Sequence, residues 1–559
     1  MTTQNIIVKN IRLPITAPIE ESFDAAKRRL KLSDGELIRA ELHKRSLDAR
    51  CRKGSDPEFV YSVTLECRVE QKKLERINSL GGDVELIRRE PLIVERGHEK
   101  LDGRPMVVGF GPCGMFAALL LAENGYAPLV IERGGDITSR RRAVDEFNRT
   151  GRLDPETNIQ FGAGGAGTFS DGKLVTRIND PRCSYVLERF REFGAPEEIC
   201  YLAKPHVGTD RLLGVVERIY RRIIELGGEV RFDTRLDDIK IDGGRIRSAK
   251  LVSRGISEKM KIGALILAVG HSARDTYDML ASRGVGIISK PFSVGVRVEH
   301  LQSDIDAALY GRFADRFAGM NGADGKRLLP PGEYALSWRE PQSGISSDSA
   351  RGVYSFCMCP GGEVVAAASE LGGVVTNGMS RYARDGINAN AAIAVSVFPE
   401  DIGPGWRAGI EFQRSLERAA FKAAGSDYRA PVETLGDFLE GRTAHFTEPG
   451  RVKPTYRGGM YTLCDLSSIL PPFVSDMLKK GFPRFGGKLR GFDSREAVLT
   501  GVETRTSSPV RIPRGEDGCA SAASNLYPCG EGAGYAGGIT SAAVDGINTA
   551  LRLMKIYGS

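Results

Sequence analysis

Met106-Val-Val-Gly-Phe-Gly-Pro-Cys-Gly114, running on into Met115-Phe-Ala-Ala-Leu-Leu-Leu-Ala122, decides the fold of this chain. An apolar run of strand length ends in Gly109, Gly111 and Gly114, in G-x-G-x-x-G spacing, and a helix-forming run follows. After a strand, the first glycine permits a tight turn and the second lets the backbone approach a pyrophosphate. The third lets the helix pack on the strand. The helix opening at Pro112 and Cys113 then offers free N–H groups and a partial positive charge to phosphates. A second strand, Ala127 to Ile131, ends at Glu132, about 18 residues past Gly114 and close to the ~20 expected of a ribose-binding acid. Arg133 beside it joins the candidate cofactor residues, whereas Cys113 reads as helix packing.

The same spacing recurs twice, at Gly162, Gly164 and Gly167 and again at Gly532, Gly534 and Gly537. Neither copy is followed by a strand ending in an acid. Only the copy at Gly109 stands in a complete β-α-β context.

The chain has 559 residues, enough for three or four domains at roughly 150 residues each. Its 41% hydrophobic and 27% charged residues exclude wholesale disorder, collagen and a disulfide mini-scaffold. A net charge of +7, spread along the chain, accommodates an acidic ligand but marks no dedicated nucleic-acid binder. Met1 to Pro14 lacks the apolar core of a signal peptide. The apolar stretch Met106 to Ala122 sits at the bottom of the ~17–25-residue range for a spanning helix and opens with glycines, so no membrane span is expected. Ten cysteines without a secretion signal read as reduced thiols in a cytoplasmic protein. No C-x-x-C pair occurs and the six histidines are scattered, so no metal site is expected.

Working outward, Asn5 to Leu13 is strand-like, Glu20 to Leu32 helical, and Glu36 to Arg52 extended or mixed. Phe59 to Val69 alternates as a strand, Glu70 to Ser79 is helical, and Val84 to Ile87 closes the order β-α-β-β-α-β. That order predicts a ferredoxin-like α+β unit. Arg96 to Arg104 is the polar linker candidate. Val230 to Ile241 and Lys250 to Val252 suggest a β-rich excursion, and Ala264 to Val269 a buried parallel strand. Residues from about 285 to 500 show no clear period and are expected to be irregular. Asn525 to Tyr557 again reads strand, glycine turn, helix, so distant segments are expected to complete one nucleotide-binding sheet.

Gly109 to Gly114 with Glu132, together with Leu526-Tyr-Pro-Cys-Gly-Glu-Gly-Ala-Gly534, resemble the two-part FAD signature of glutathione-reductase-like flavoproteins. Asn158-Ile-Gln-Phe-Gly-Ala-Gly-Gly-Ala-Gly-Thr-Phe-Ser-Asp-Gly-Lys173 is similar to a stretch of a largely uncharacterised family of FAD-dependent dehydrogenases. So are Phe356-Cys-Met-Cys-Pro-Gly-Gly362, Val375 to Ser380, Leu267 to Arg274, Val294 to His300 and Val502 to Arg511. The resemblance spans nearly the whole chain. It implies an α/β fold with a Rossmann-like FAD-binding domain formed by residues 98–284 and 505–559. An inserted mixed α+β substrate domain would span 285–504, and the N-terminal ferredoxin-like α+β unit 1–97. It supplies no substrate.

The resemblance implies an FAD-dependent oxidoreductase in which hydride or electrons pass through flavin N5. The Gly530-Glu531-Gly532 turn would reach the second phosphate or the ribitol. The helix opening at Gly538, Ile539 and Thr540 would aim its positive end at the flavin. Gly164, Gly165, Gly167 and Thr168 would bring backbone to the flavin ring, with Ser170, Asp171 and Lys173 nearby. Gly270 and His271 follow a buried strand end, His271 as proton donor or structural histidine. With one full fingerprint, NAD(P)H is expected as a transient reductant or not at all. Cys357 and Cys359, about 6.6 Å apart between Cα atoms if extended, read as a redox pair or as buried thiols. Arg297, His300, Arg381, Asn388 and Asn390 are candidate anchors for a small-molecule substrate. The basic run His43-Lys44-Arg45 with Arg50, Arg52 and Lys53 raises an RNA-directed flavoenzyme as a rival, although acids offset it and no aromatics interleave. A flavin sensor without turnover is the second rival.

Overall fold

Alternation lays Glu58–Val69 down as a strand with Phe59, Tyr61, Val63, Leu65 and Cys67 buried. The computed structural model describes residues 2–50, 55–87, 91–322, 325–340 and 350–558, which form two compact units. The first unit contains Thr2–Pro14 (β1), Glu20–Leu30 (α1), Leu37–Asp48 (β2), Glu58–Val69 (β3), Gln71–Asn78 (α2) and Val84–Ile87 (β4). Its sheet runs β2-β3-β1-β4 with every neighbouring pair antiparallel. Glu20 and Glu21 open α1 and Lys27, Arg28 and Arg29 close it, each sign matching the helix dipole. Ala26, Leu30 and Ile77 pack on Ile6, Val8, Val63 and Leu65.

Residues 195–206 and 306–332 also belong to this unit. The Arg45 N–H donates to the Tyr201 carbonyl at 2.7 Å, and Phe313, Phe317, Leu328 and Leu329 enter the core. The Arg45 guanidinium lies 3.8 Å from the Phe59 ring centroid. Arg52 and Lys53 lie outside the described residues.

The second unit comprises residues 94–194, 207–305 and 333–559. Its five-stranded parallel sheet runs Leu526–Pro528, Ala264–Leu267, Pro105–Val108, Leu129–Ile131, Glu229–Arg231. The first four strands are buried along their whole length, which accounts for their continuous apolar sequence. Helices Pro112–Glu123 and Ile539–Ile556 pack together where Gly546 leaves no room for a Cβ against the Cys113 carbonyl. A meander of Thr234–Asp242, Arg245–Ser253 and Ile256–Lys261 forms a separate antiparallel sheet.

Two expectations are corrected. The stretch from 285 to 500 is not irregular; it supplies six whole strands and the start of the seventh, Val498–Glu503, to a sheet ordered Ser337–Arg339, Gly352–Cys359, Asn388–Val397, Phe292–Leu301, Val498–Glu503, Ala430–Thr434, Tyr461–Leu463. Phe292–Leu301 and Asn388–Val397 are buried on both faces almost throughout, so no period of two survives in their sequence. The polar stretch Arg96 to Arg104 is no free linker either. Glu99–Lys100 pairs in parallel with Tyr557–Gly558, and the Gly97 N–H donates to the Met554 carbonyl at 2.8 Å. Among the described residues no helix is long and apolar enough to cross a membrane, and Met106 to Ala122 divides into strand and helix.

Candidate functional site

The central strand Pro105–Val108 delivers Gly109 with φ of 100°, a conformation open to glycine. A Cβ there would lie 2.6 Å from the Ala268 carbonyl oxygen, and one on Gly114 would collide with the Gly109 carbonyl. Protein packing therefore dictates the outer two glycines. The middle one is different: a Cβ on Gly111 would meet only Gly165 Cα, at 3.7 Å. Pro112 occupies the first helical turn, and no side chain caps the helix.

Glu132 is buried and its carboxylate is largely engaged by backbone. Phe110 N–H donates to Oε2 at 2.9 Å; Gly134 and Gly162 N–H donate to Oε1 at 3.0 and 2.9 Å. A carboxylate offers about four acceptor positions, so capacity for one further hydroxyl remains on Oε2. The Gly162 turn is also held from beneath by Arg140, fully buried, whose guanidinium donates to the Asn158, Ile159 and Ala163 carbonyls at 3.0, 2.7 and 2.6 Å. Burial pulls the Arg140 guanidinium down to about 10, while Glu132 supports its charge. Sequence reasoning missed Arg140, because an arginine in a helix of polar composition carries no mark of burial. Arg133 is spoken for: it pairs with Glu156 at 2.9 Å and Asp275 at 2.9 Å, over the Phe161 ring.

The glycine-rich loop touches both helix starts. Gly165 abuts Gly111, and a Cβ on Gly167 would lie 3.0 Å from Ile539 Cγ1. Gly164 backs onto Thr168, whose buried Oγ1 has no hydrogen-bond partner. Ser170 turns inward to the Gly167 carbonyl at 2.6 Å. Asp171, fully buried, pairs with Arg384 (Nε–Oδ1 2.9 Å), and Lys173 lies 3.5 Å from Glu333.

At the neighbouring strand end, nothing lies within 4 Å of a Cβ placed on Gly270. His271 is buried, with Nδ1 3.3 Å from Glu531 Oε1 and Nε2 without a partner. Gly530 differs from expectation: its N–H is committed to Asp545 Oδ2 at 2.7 Å rather than left for a phosphate. Helix Ile539–Ile556 starts at Gly538 without a side-chain cap. Thr540 is buried and donates to the Leu174 carbonyl at 2.7 Å. Cys113 faces Cys529 with the sulfurs 3.3 Å apart, a pairing invisible in the sequence.

These residues fit FAD on structural grounds. A glycine cradle stays open at Gly111, Gly270 and Gly537, two uncapped helix N-termini border the same loop, and His271 Nε2 and Thr168 Oγ1 are buried donors or acceptors without partners. The proposed substrate anchors do not join them. Arg297 is fully buried and saturated by Glu503 (2.8 and 3.0 Å), Asn390 Oδ1 (2.8 Å) and the Cys357 carbonyl (3.2 Å). Asn388 donates to Glu299 at 3.0 Å. His300 lies under Phe492, where burial lowers its pKa to about 4. Arg381 is exposed, away from that network's buried interior. Among the described residues no His, Cys, Asp and Glu cluster could hold a metal.

Comparison with known proteins gives a family match over part of the chain and a full-length relative. Residues 291–506 match the family model described as FAD-dependent protein, C-terminal domain-like. An uncharacterised protein of Clostridium beijerinckii is 45% identical over 553 residues, covering 99% of each chain. The solved flavin-dependent brominase Bmp2 is 12% identical, with 81% of this chain and 79% of that one aligned at a TM-score of 0.35. A flavoprotein/dehydrogenase from Cytophaga hutchinsonii is 11% identical over 82% and 80%, at a TM-score of 0.34. The chain belongs to the same family as the clostridial protein, and its residues 291–506 match the C-terminal domain of FAD-dependent proteins.

Proposed function

We propose that this protein is an FAD-dependent oxidoreductase of the dehydrogenase type, acting on a small molecule. The observation that carries the reading is Gly111. Its neighbours are glycine because the protein itself fills their space, whereas Gly111 is small beside open space at an uncapped helix N-terminus. FAD, when bound, supplies the hydride and electron chemistry. The chain would bind its pyrophosphate at Gly111 to Gly114 and accept a ribose hydroxyl at Glu132. Gly165 to Thr168 would border the flavin together with Gly270, and the start of helix Ile539–Ile556 would favour negative charge on the reduced ring. His271, oriented by Glu531, would accept a proton or hydrogen bond at Nε2. The two-part signature supports a place beside the glutathione-reductase-like flavoproteins, and NAD(P)H would act as a transient reductant.

The visible spectrum before and after anaerobic NADH and NADPH tests this. We expect oxidised-flavin bands that one nucleotide bleaches. Bands that neither nucleotide bleaches would remove the nicotinamide step, and a protein that cannot be reconstituted with FAD would overturn the function.

A further inference from the structure

Cys357 and Cys359 close the strand Gly352–Cys359 in an unusual backbone. Pairing with Asn388–Val397 shifts register between Phe356 and Cys359, and Cys357 takes a left-handed φ of 46°. This corrects the extended backbone expected from the sequence: the bulge turns Cys359 back on its partner, its Sγ donating to the Cys357 carbonyl at 3.3 Å. Non-glycine residues pay for that conformation, and such strain gathers at functional positions. The surroundings are polar and buried. Arg297 donates to the Cys357 carbonyl, Asn390 stands opposite Cys359 in the sheet, and Asn390 Nδ2 and Tyr334 Oη are buried with no partner.

The pair also adjoins the loop assigned to FAD. A Cβ on Gly362 would lie 3.1 Å from Cys359 Cβ, the adjoining Gly361 abuts the Arg384 carbonyl, and Arg384 donates to Asp171 at 2.9 Å. Asp171 belongs to the loop whose other positions, Gly165 and Gly167, abut Gly111 and Ile539.

We propose that Cys357 and Cys359 form a dithiol–disulfide couple that exchanges two electrons with the bound flavin. In the oxidising direction both S–H bonds break and one Sγ–Sγ bond forms, and two electrons and two protons pass to FAD, giving its two-electron-reduced form. The reverse reduces the disulfide. Cys357, the more exposed of the two, is the attacking sulfur; the Cys359 thiol, Arg297 and Lys173 pull it down to about 7 against the opposing effect of burial. Cys359, raised instead, is the resolving thiol. The proposal rests on the FAD reading above.

The test uses the FAD-loaded full chain, oxidised with ferricyanide or reduced anaerobically with dithionite, then denatured and alkylated with iodoacetamide for peptide mass spectrometry. The oxidised sample should give a peptide containing Cys357 and Cys359 that is unalkylated and two hydrogens lighter; the reduced sample should give it doubly alkylated. Full reduction of the wild type should consume two dithionite equivalents per FAD, and that of Cys359→Ser one. Should the variant not fold, the wild-type stoichiometry and alkylation decide alone. A yellow wild type with both thiols alkylated after oxidation, or reduced by one equivalent, overturns the couple and leaves the FAD reading intact. A chain that takes up no FAD overturns both.

Discussion

Three glycines in one fingerprint answer to two different constraints. Gly114 is fixed by the Gly109 carbonyl, Gly109 by its φ and by Ala268, and Gly111 by nothing in the chain beyond a 3.7 Å approach to Gly165. Substitution separates these causes. Gly114→Ala should destabilise the protein by about 2 kcal/mol or more, because backbone must move. Gly111→Ala should hold its melting temperature in the FAD-free state yet bind FAD roughly ten-fold or more weakly, since the methyl group blocks pyrophosphate approach. Equal loss of stability in both variants would remove the distinction. The fingerprint was legible because its spacing is local. Arg140 was not: its partners are carbonyls of Asn158, Ile159 and Ala163, and a carbonyl has no sequence identity. The Asp171–Arg384 pair was hidden for another reason, since 213 positions separate its members.

Elements carry charge effects that no single residue shows. The helix Ile539–Ile556 begins uncapped at the exposed, extended Gly538. Gly538→Asp would place a carboxylate at that positive end and should lower the flavin two-electron potential by roughly 10–20 mV, from a dipole effect of ~0.3–1 kcal/mol. Spectroelectrochemistry reads it, and an unchanged potential would detach this helix from the flavin. The strand Ala430–Thr434 poses the opposite problem, with Glu433 inside a fully buried run. Its Oε2 accepts the Leu466 N–H at 3.0 Å, and its Oε1 has no partner. Burial pushes the carboxyl up to about 8, aided by Asp465 and Asp437. A folded pKa above the unfolded ~4.3 contributes stability that is complete below pH ~4 and lost as pH rises through 8. Glu433→Gln should therefore match the wild-type pH trend below pH ~4 and gain on it by on the order of 1–4 kcal/mol by pH 8. Denaturant midpoints across that range decide it. Strands of this kind explain the failed reading of residues 285–500: Phe59 to Val69 alternates because one face is wetter, whereas Asn388–Val397 has dry faces on both sides.

On the scale of the whole molecule, the N-terminal unit is stitched from three stretches of chain. Phe313, Phe317, Leu328 and Leu329 share a core with β1 and β3, although they lie hundreds of positions downstream. Deleting residues 1–93 should bare that apolar surface, bind a hydrophobic dye and lower solubility, instead of releasing a well-behaved flavin module. A soluble, cooperatively folding truncation would refute this. The parallel sheet is stitched over a longer distance. Its edge strand Leu526–Pro528 leaves the ribosome about 260 residues after its neighbour Ala264–Leu267, a wait of roughly 10–50 s at ordinary rates of synthesis. Throughout that interval a nascent chain presents Ala264-Leu-Ile-Leu267 as an unpaired apolar edge. Successful biosynthesis then depends on something shielding that edge, which makes translation speed and chaperone supply determinants of how much holoprotein a cell obtains.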